Sequence, residues 1–236
     1  MSATRARKPG LSVRAQQAQD TRDKILRAAI KVFARHGYEG ARIERISSLA
    51  KSHDRMIYYY FGSKEKLFVA VLEEIYMQLN EAEKSLDLSL DDPAIALTQI
   101  ADFVWNYYLE HPELVWILNS ENVSQGKHAK RSSNIREISN YALSVLEAVL
   151  ENGKQKGVFR AEAQARDVYI IIASLGYFYN SNHHTLSAFL GEPLMGEAAL
   201  AHWRGVIRHT VLNAVHVNGV VPQDAAPLKG KQKARR

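Results

Sequence analysis

A chain of 236 residues with 46% hydrophobic content can build one large or two modest domains around a sizeable core. It has no cysteine, which excludes disulfides and thiolate metal sites; no apolar run approaches the ~20 residues that span a bilayer and no signal-like apolar stretch opens the chain, so a cytoplasmic protein is expected. The net charge of +6 is unevenly spread: residues 1–66 carry 15 Lys and Arg against 6 Asp and Glu, residues 67–228 carry 11 against 19, and residues 229–236 add five positive charges, so the first third suits a polyanion and the middle repels one.

Residues 1–19 hold Arg5, Arg7, Lys8 and Arg14 around a Pro9-Gly10 break, with little apolar content. They read as a disordered basic tail, either an arm that follows a minor groove or a solvated coil. Thr21 is placed to cap a helix running to His36, with Ile25, Leu26, Ala29, Ile30 and Phe33 along one side and Gly37 closing it. Next comes ISSLAKSHDRMIYYYFGSKEK, from Ile46 to Lys66. Ile46, Leu49 and Ala50 lie at helical spacing, and Met56, Ile57, Tyr58 and Phe61 resume it after a short polar break, the pattern of a helix-turn-helix. Ile43, Ile46, Tyr58, Phe61, Leu67 and Phe68 are expected to complete a small core. His53, Asp54, Arg55, Tyr59 and Tyr60 then remain for base edges and phosphates. Gly62-Ser63 stops the second helix, and Ser63 can cap the next.

From Asp20 to Leu72, and most specifically in Ile-Tyr-Tyr-Tyr-Phe-Gly-Ser-Lys, the chain resembles the amino-terminal DNA-binding domain of TetR-family transcriptional regulators. Two departures concern geometry: Lys51 and Ser52 stand in the turn, and Ala41-Arg42 replaces the usual Ser or Thr opening the helix before it. A lost hydroxyl cap costs about 0.5–2 kcal/mol unless the free amides are otherwise satisfied. The resemblance implies double-stranded DNA with a pseudo-palindromic operator as partner. The expected contacts are Arg42, His53, Asp54, Arg55, Tyr58, Tyr59, Lys64 and Lys66, with Lys64 as the stronger phosphate anchor.

A helix from Ser63 to about Leu86 carries Leu67, Phe68, Val71, Leu72, Ile75 and Leu79 and is long enough to belong to both domains. Asp92-Pro93 opens another, up to His111. Pro112 starts a short one through Leu118, and Ser120 to Ser133 reads as a loop. A further helix carries Ile135, Ile138, Tyr141, Ala142, Val145, Leu146 and Val149 to the Gly153–Gly157 region. Val168 to Leu175 is apolar on every side, and Glu197 to Val217 supplies it with a partner.

The expected fold is all-α with about nine helices. A helix-turn-helix domain at 20–66 precedes a ligand-binding and dimerisation domain at 67–218, and a second disordered basic tail occupies 219–236. In the resembling family the last two helices pair with their symmetry mates, which implies a homodimer here through Ile171, Leu175, Trp203, Ile207 and Val211. Trp105, Tyr108, Trp116 and Tyr177 are the candidate contacts to a small-molecule effector. Val168 to Gly191, followed by Trp203, also resembles the carboxy-terminal domain of the pyrimidine-sensing branch, implying a planar heterocycle. His183-His184 reads as a polar corner rather than a metal site, since adjacent histidines on a helix diverge. No catalytic motif or cofactor-binding motif is present. The expected function is an effector-released dimeric repressor; the alternative is an architectural DNA-binding protein without an effector.

Overall fold

The computed structural model describes residues 13–219, and among them it contains nine α-helices and one 3-10 turn. The reading head comprises α1 (Val13–Gly40), α2 (Ile43–Leu49), α3 (Asp54–Phe61) and the start of α4 (Lys64–Lys84). The body adds α5 (Pro93–Glu110), α6 (Pro112–Val123), α7 (Ile135–Gln155), α8 (Ala165–Leu190) and α9 (Glu197–Val215). Residues 1–12 and 220–236 lie outside the described residues, and with them most of the expected tails at 1–19 and 219–236.

The first helix corrects the expected boundary. It is already helical at Val13, and Thr21 is no cap: its hydroxyl donates back to the Gln17 carbonyl at 2.8 Å. The segment is polar but made of good helix formers, and Gln16–Asp20 and Gln19–Asp23 hydrogen bonds brace its exposed side. Gly37, at φ 64°, breaks the helix as expected. Ile25, Phe33, Ile46, Ile57, Leu67 and Phe68 are fully or almost fully buried and form the head's core. Tyr58 does not join them; it is 51% exposed, because Ile57 takes the inward position one residue earlier.

Ser63 caps α4 by accepting the Lys66 amide, and Asp92 caps α5 by accepting the amides of Ala94 and Ile95. Two body helices outrun their sequence patterns. α6 continues through Val123, because the Glu121 carboxylate turns inward to accept the backbone N–H groups of His128 and Ala129. α8 continues to Leu190, so His183 and His184 stand on the helix rather than at a corner. Asp102 of α5 ties α9 down through Arg204 and Arg208. Burial alone would raise its pKa, but the hydrogen bonds and charges of the two guanidinium groups outweigh this and hold it below the ordinary value.

α8 is not apolar all round in its setting. Val168 and Ile172 point into the chain's own core, while Ile170 and Phe178 are 50% and 55% exposed. The expected dimer contacts need the same correction: Ile207 and Val211 are each 1% exposed and belong to the interior. Ile171, Leu175 and Trp203 are half-buried against that core.

Candidate DNA-reading head and body cavity

The reading surface follows from the helix-turn-helix. Ile57 and Phe61 anchor α3 from below, which leaves His53, Arg55, Tyr58 and Tyr59 exposed on the other side. Tyr59 is 77% exposed, and its ring meets Tyr60 edge-on at 5.0 Å. Arg55 takes part in no salt bridge among the described residues, which leaves its five donors free. Asp54 is committed elsewhere: its carboxylate accepts a short hydrogen bond from the Ser47 hydroxyl of α2 and braces the motif.

The unusual turn holds because Lys51 adopts φ 51°, a left-handed conformation, while the Ser52 amide donates to the Ser47 carbonyl at 2.9 Å. Arg42 precedes α2 with no side-chain cap and is exposed.

The two lysines of α4 differ. The Lys64 ammonium sits 4.7 Å from the Tyr38 ring centroid and 3.4 Å from the Glu39 carbonyl, so it closes the end of α1. Lys66 is exposed.

Head meets body at a cluster that no sequence pattern announces. The Tyr38 amide donates to Ser120 Oγ at 2.9 Å, and the Tyr38 ring lies 4.3 Å from that of His128. Phe68 of α4 packs 4.9 Å from the same imidazole. His128 is 1% exposed and hydrogen-bonded through Nδ1 to Glu121. Arg131 pairs with Glu65 at 2.6 Å across the seam.

Inside the body, the end of α4 with α5, α7 and α8 encloses a narrow cavity with about 20 Å³ open to water, space for roughly one molecule. Glu83 and Leu86, Ile100 and Val104, Val145 and Leu146, and Tyr169 and Ile172 contribute to its walls. Burial pushes the Glu83 carboxyl up to about 7.

None of the four expected effector contacts borders this space. Trp105 packs edge-on against Tyr179 in the core at 5.4 Å, and Trp116 stacks on His184 at 6.2 Å. Tyr108 and Tyr177 do meet, at 6.3 Å, and the Tyr177 hydroxyl bonds Asn119 and Asn122. A second, open apolar groove of about 560 Å³ runs between α8 and α9, floored by Tyr179 and Trp203 and edged by Phe178 and Leu190.

Among the described residues no three His, Asp or Glu side chains are grouped to hold a metal ion, and no helix is long and apolar enough to cross a membrane.

A basic head with a helix-turn-helix, carried on an acidic all-helical body by a shared helix, defines a DNA-binding regulator class. Residues 25–71 match the family described as bacterial regulatory proteins, tetR family, and residues 93–211 match the tetracyclin repressor-like C-terminal domain. The chain is 54% identical over 203 residues to the HTH-type transcriptional repressor NicS of Pseudomonas putida, covering 86% of this chain and 96% of that one. It is 31% identical over 163 residues to the HTH-type transcriptional repressor SCO4008 of Streptomyces coelicolor, covering 68% and 79%. Its fold is similar to that of the putative transcriptional regulator SCO4942 from Streptomyces coelicolor, with TM-score 0.62 at 22% identity over 83% of this chain and 98% of that one.

The chain belongs to the TetR family of bacterial transcriptional regulators. It is a transcriptional repressor of that family, not an enzyme, and its N-terminal domain binds DNA.

Proposed function

We propose that the protein is a homodimeric repressor that leaves a pseudo-palindromic operator when a small molecule occupies the body. The observation that carries this reading is the course of α4. Leu67, Phe68 and Val71 in its first turns are buried with the head, whereas Glu83 in its last turn lines the internal cavity. One continuous helix of 21 residues, about 30 Å long, is a rigid lever between the two places. An effector that binds better when α4 is tilted shifts the population toward that tilt, and the two heads no longer match successive major grooves.

Base reading falls to Arg55 with His53, Tyr58 and Tyr59; phosphate contact falls to Lys66 and Arg42. Lys64 acts from inside, fixing α4 to the end of α1. The pairing surface is the exposed side of α8 and α9, where Ile170, Phe178 and the groove beside Trp203 leave apolar area uncovered. Selection of bound DNA from a random library tests the reading. Two inverted half-sites are expected; a single half-site, or no preferred sequence, contradicts it.

A further inference from the structure

The body's cavity is lined by a half-buried carboxylate that has no protein partner among the described residues. Glu83 is the charged residue in its lining, and among the described residues no donor or cation reaches the carboxylate. Burial therefore acts uncompensated and pushes its pKa from 4.5 up to about 7.

A second unmet acceptor lies one turn back. Tyr76, Asn80 and Glu83 follow at i, i+4 and i+7 along one face of α4. Asn80 Nδ2 donates to the Ile138 carbonyl at 3.2 Å, but its Oδ1 is buried without a donor among the described residues. Across the cavity stands Tyr169, whose hydroxyl burial and the Glu83 charge push up. Glu83 also sits in the last turn of α4, where the outward carbonyls add negative potential.

These features select a ligand by sign. The lining holds no Lys, Arg or His, so a ligand carboxylate or phosphate would meet a carboxylate with no countercharge. An apolar ligand would leave the acceptor unpaired, whereas a cationic N–H group forms a charge-assisted hydrogen bond to it. One aromatic face, Tyr169, stands among aliphatic walls and offers a stacking surface to a small flat frame.

We infer that the effector is a small planar nitrogenous cation, a protonated amine, amidine or ring nitrogen, whose N–H groups donate to Glu83. This rests on the effector reading above and gives it a chemical class. With space for about one water, the cavity admits such a ligand only as α4 moves off α7 and α8, the displacement that the head receives. Pairing converts the protonated carboxyl to carboxylate, so binding near pH 7 releases a proton to buffer.

Benzamidine and benzylamine are suitable probes, with benzoate and benzyl alcohol as ring-matched controls. Thermal unfolding and affinity for the selected DNA are measured for the unaltered chain, Glu83→Gln and Glu83→Leu. At millimolar concentration the two amine probes should raise the unfolding temperature by a few degrees and weaken DNA binding severalfold, while the controls do neither. Both variants, folded by circular dichroism, should lose the response. Titration calorimetry in two buffers of different ionisation enthalpy should report proton release from the unaltered chain. An undiminished response in Glu83→Leu overturns the assignment. Release of DNA by benzoate or benzyl alcohol but not by the amines overturns it while leaving the effector reading intact. Silence from every probe in both assays counts against both.

Discussion

In the proposed reading, Arg55 and Lys66 divide the two tasks of the head. Arg55 has no salt-bridge partner among the described residues, and a guanidinium can meet guanine O6 and N7 together at ~1–3 kcal/mol of discrimination. Arg55→Ala should relax preference at one position of each half-site in a binding-site selection. Lys66→Ala should instead weaken binding about equally on selected and random DNA and lower the salt slope by about one. Lys64→Ala, by contrast, removes a cation from the face of Tyr38, so its effect should appear first as lost head stability.

Glu83 makes a separate statement about pH. Its folded pKa, about 7, lies above the ordinary 4.5, so the native state binds the proton more tightly and its contribution to stability is lost as pH rises from about 4.5 through 7. Relative to Glu83→Gln, the unaltered chain should lose on the order of 2 kcal/mol between pH 5 and 8, less than the full shift implies because water reaches part of the carboxylate. Denaturant titrations of both chains across that range check this; parallel stability profiles would show that burial does not burden the group.

At the scale of elements, most features that rest on local signals were legible, the expected cap at Thr21 excepted. Ser63, Asp92-Pro93 and Gly37 marked helix ends because a cap or a left-handed residue works within a few positions. The ends of α6 and α8 were not legible. The polar run after Leu118 stays helical because Glu121 finds backbone donors at His128 and Ala129, a contact sequence spacing does not encode. The same limit applied to the candidate site. Helical period placed His53, Arg55 and Tyr59 on the exposed side, but Tyr58, expected in the core, is exposed, Tyr60 is half-buried against the core, and Asp54 and Lys64 find partners in other elements. The body's aromatic residues were read as a pocket, yet Trp105 fills the core, and the cavity formed where Glu83 faces α5, α7 and α8.

α8 and α9, the helices proposed to pair, were legible as elements, but not which of their faces points outward. Phe178→Glu should therefore give folded monomers with weak DNA binding, because a single head gains nothing from effective concentration. Ile207→Glu should unfold the body, since it buries an unpaired charge. Light scattering and circular dichroism distinguish the two; a folded Ile207→Glu monomer would place that face at the interface after all.

Across the whole molecule, charge and connection tell the same story. A head with an excess of basic residues is carried by an acidic body, which keeps the body off the duplex and presents α3 to it. α4 joins cavity to head, and the seam at Tyr38, Phe68 and His128 gives its upper end a fixed bearing. In the proposed mechanism, coupling is a change of tilt in one helix rather than a signal relayed along a loop.

The absence of native cysteine lets one engineered thiol per chain report the spacing between heads. A spin label on Ser52→Cys, measured by dipolar spectroscopy with and without the cavity-filling change Ala173→Phe, tests the account most directly. We expect one defined distance in the parent, held on operator DNA, and a shifted or broadened distance with reduced operator affinity when the cavity is filled. No dipolar coupling at all, or an unchanged distance while the filled cavity abolishes operator binding, would contradict the lever.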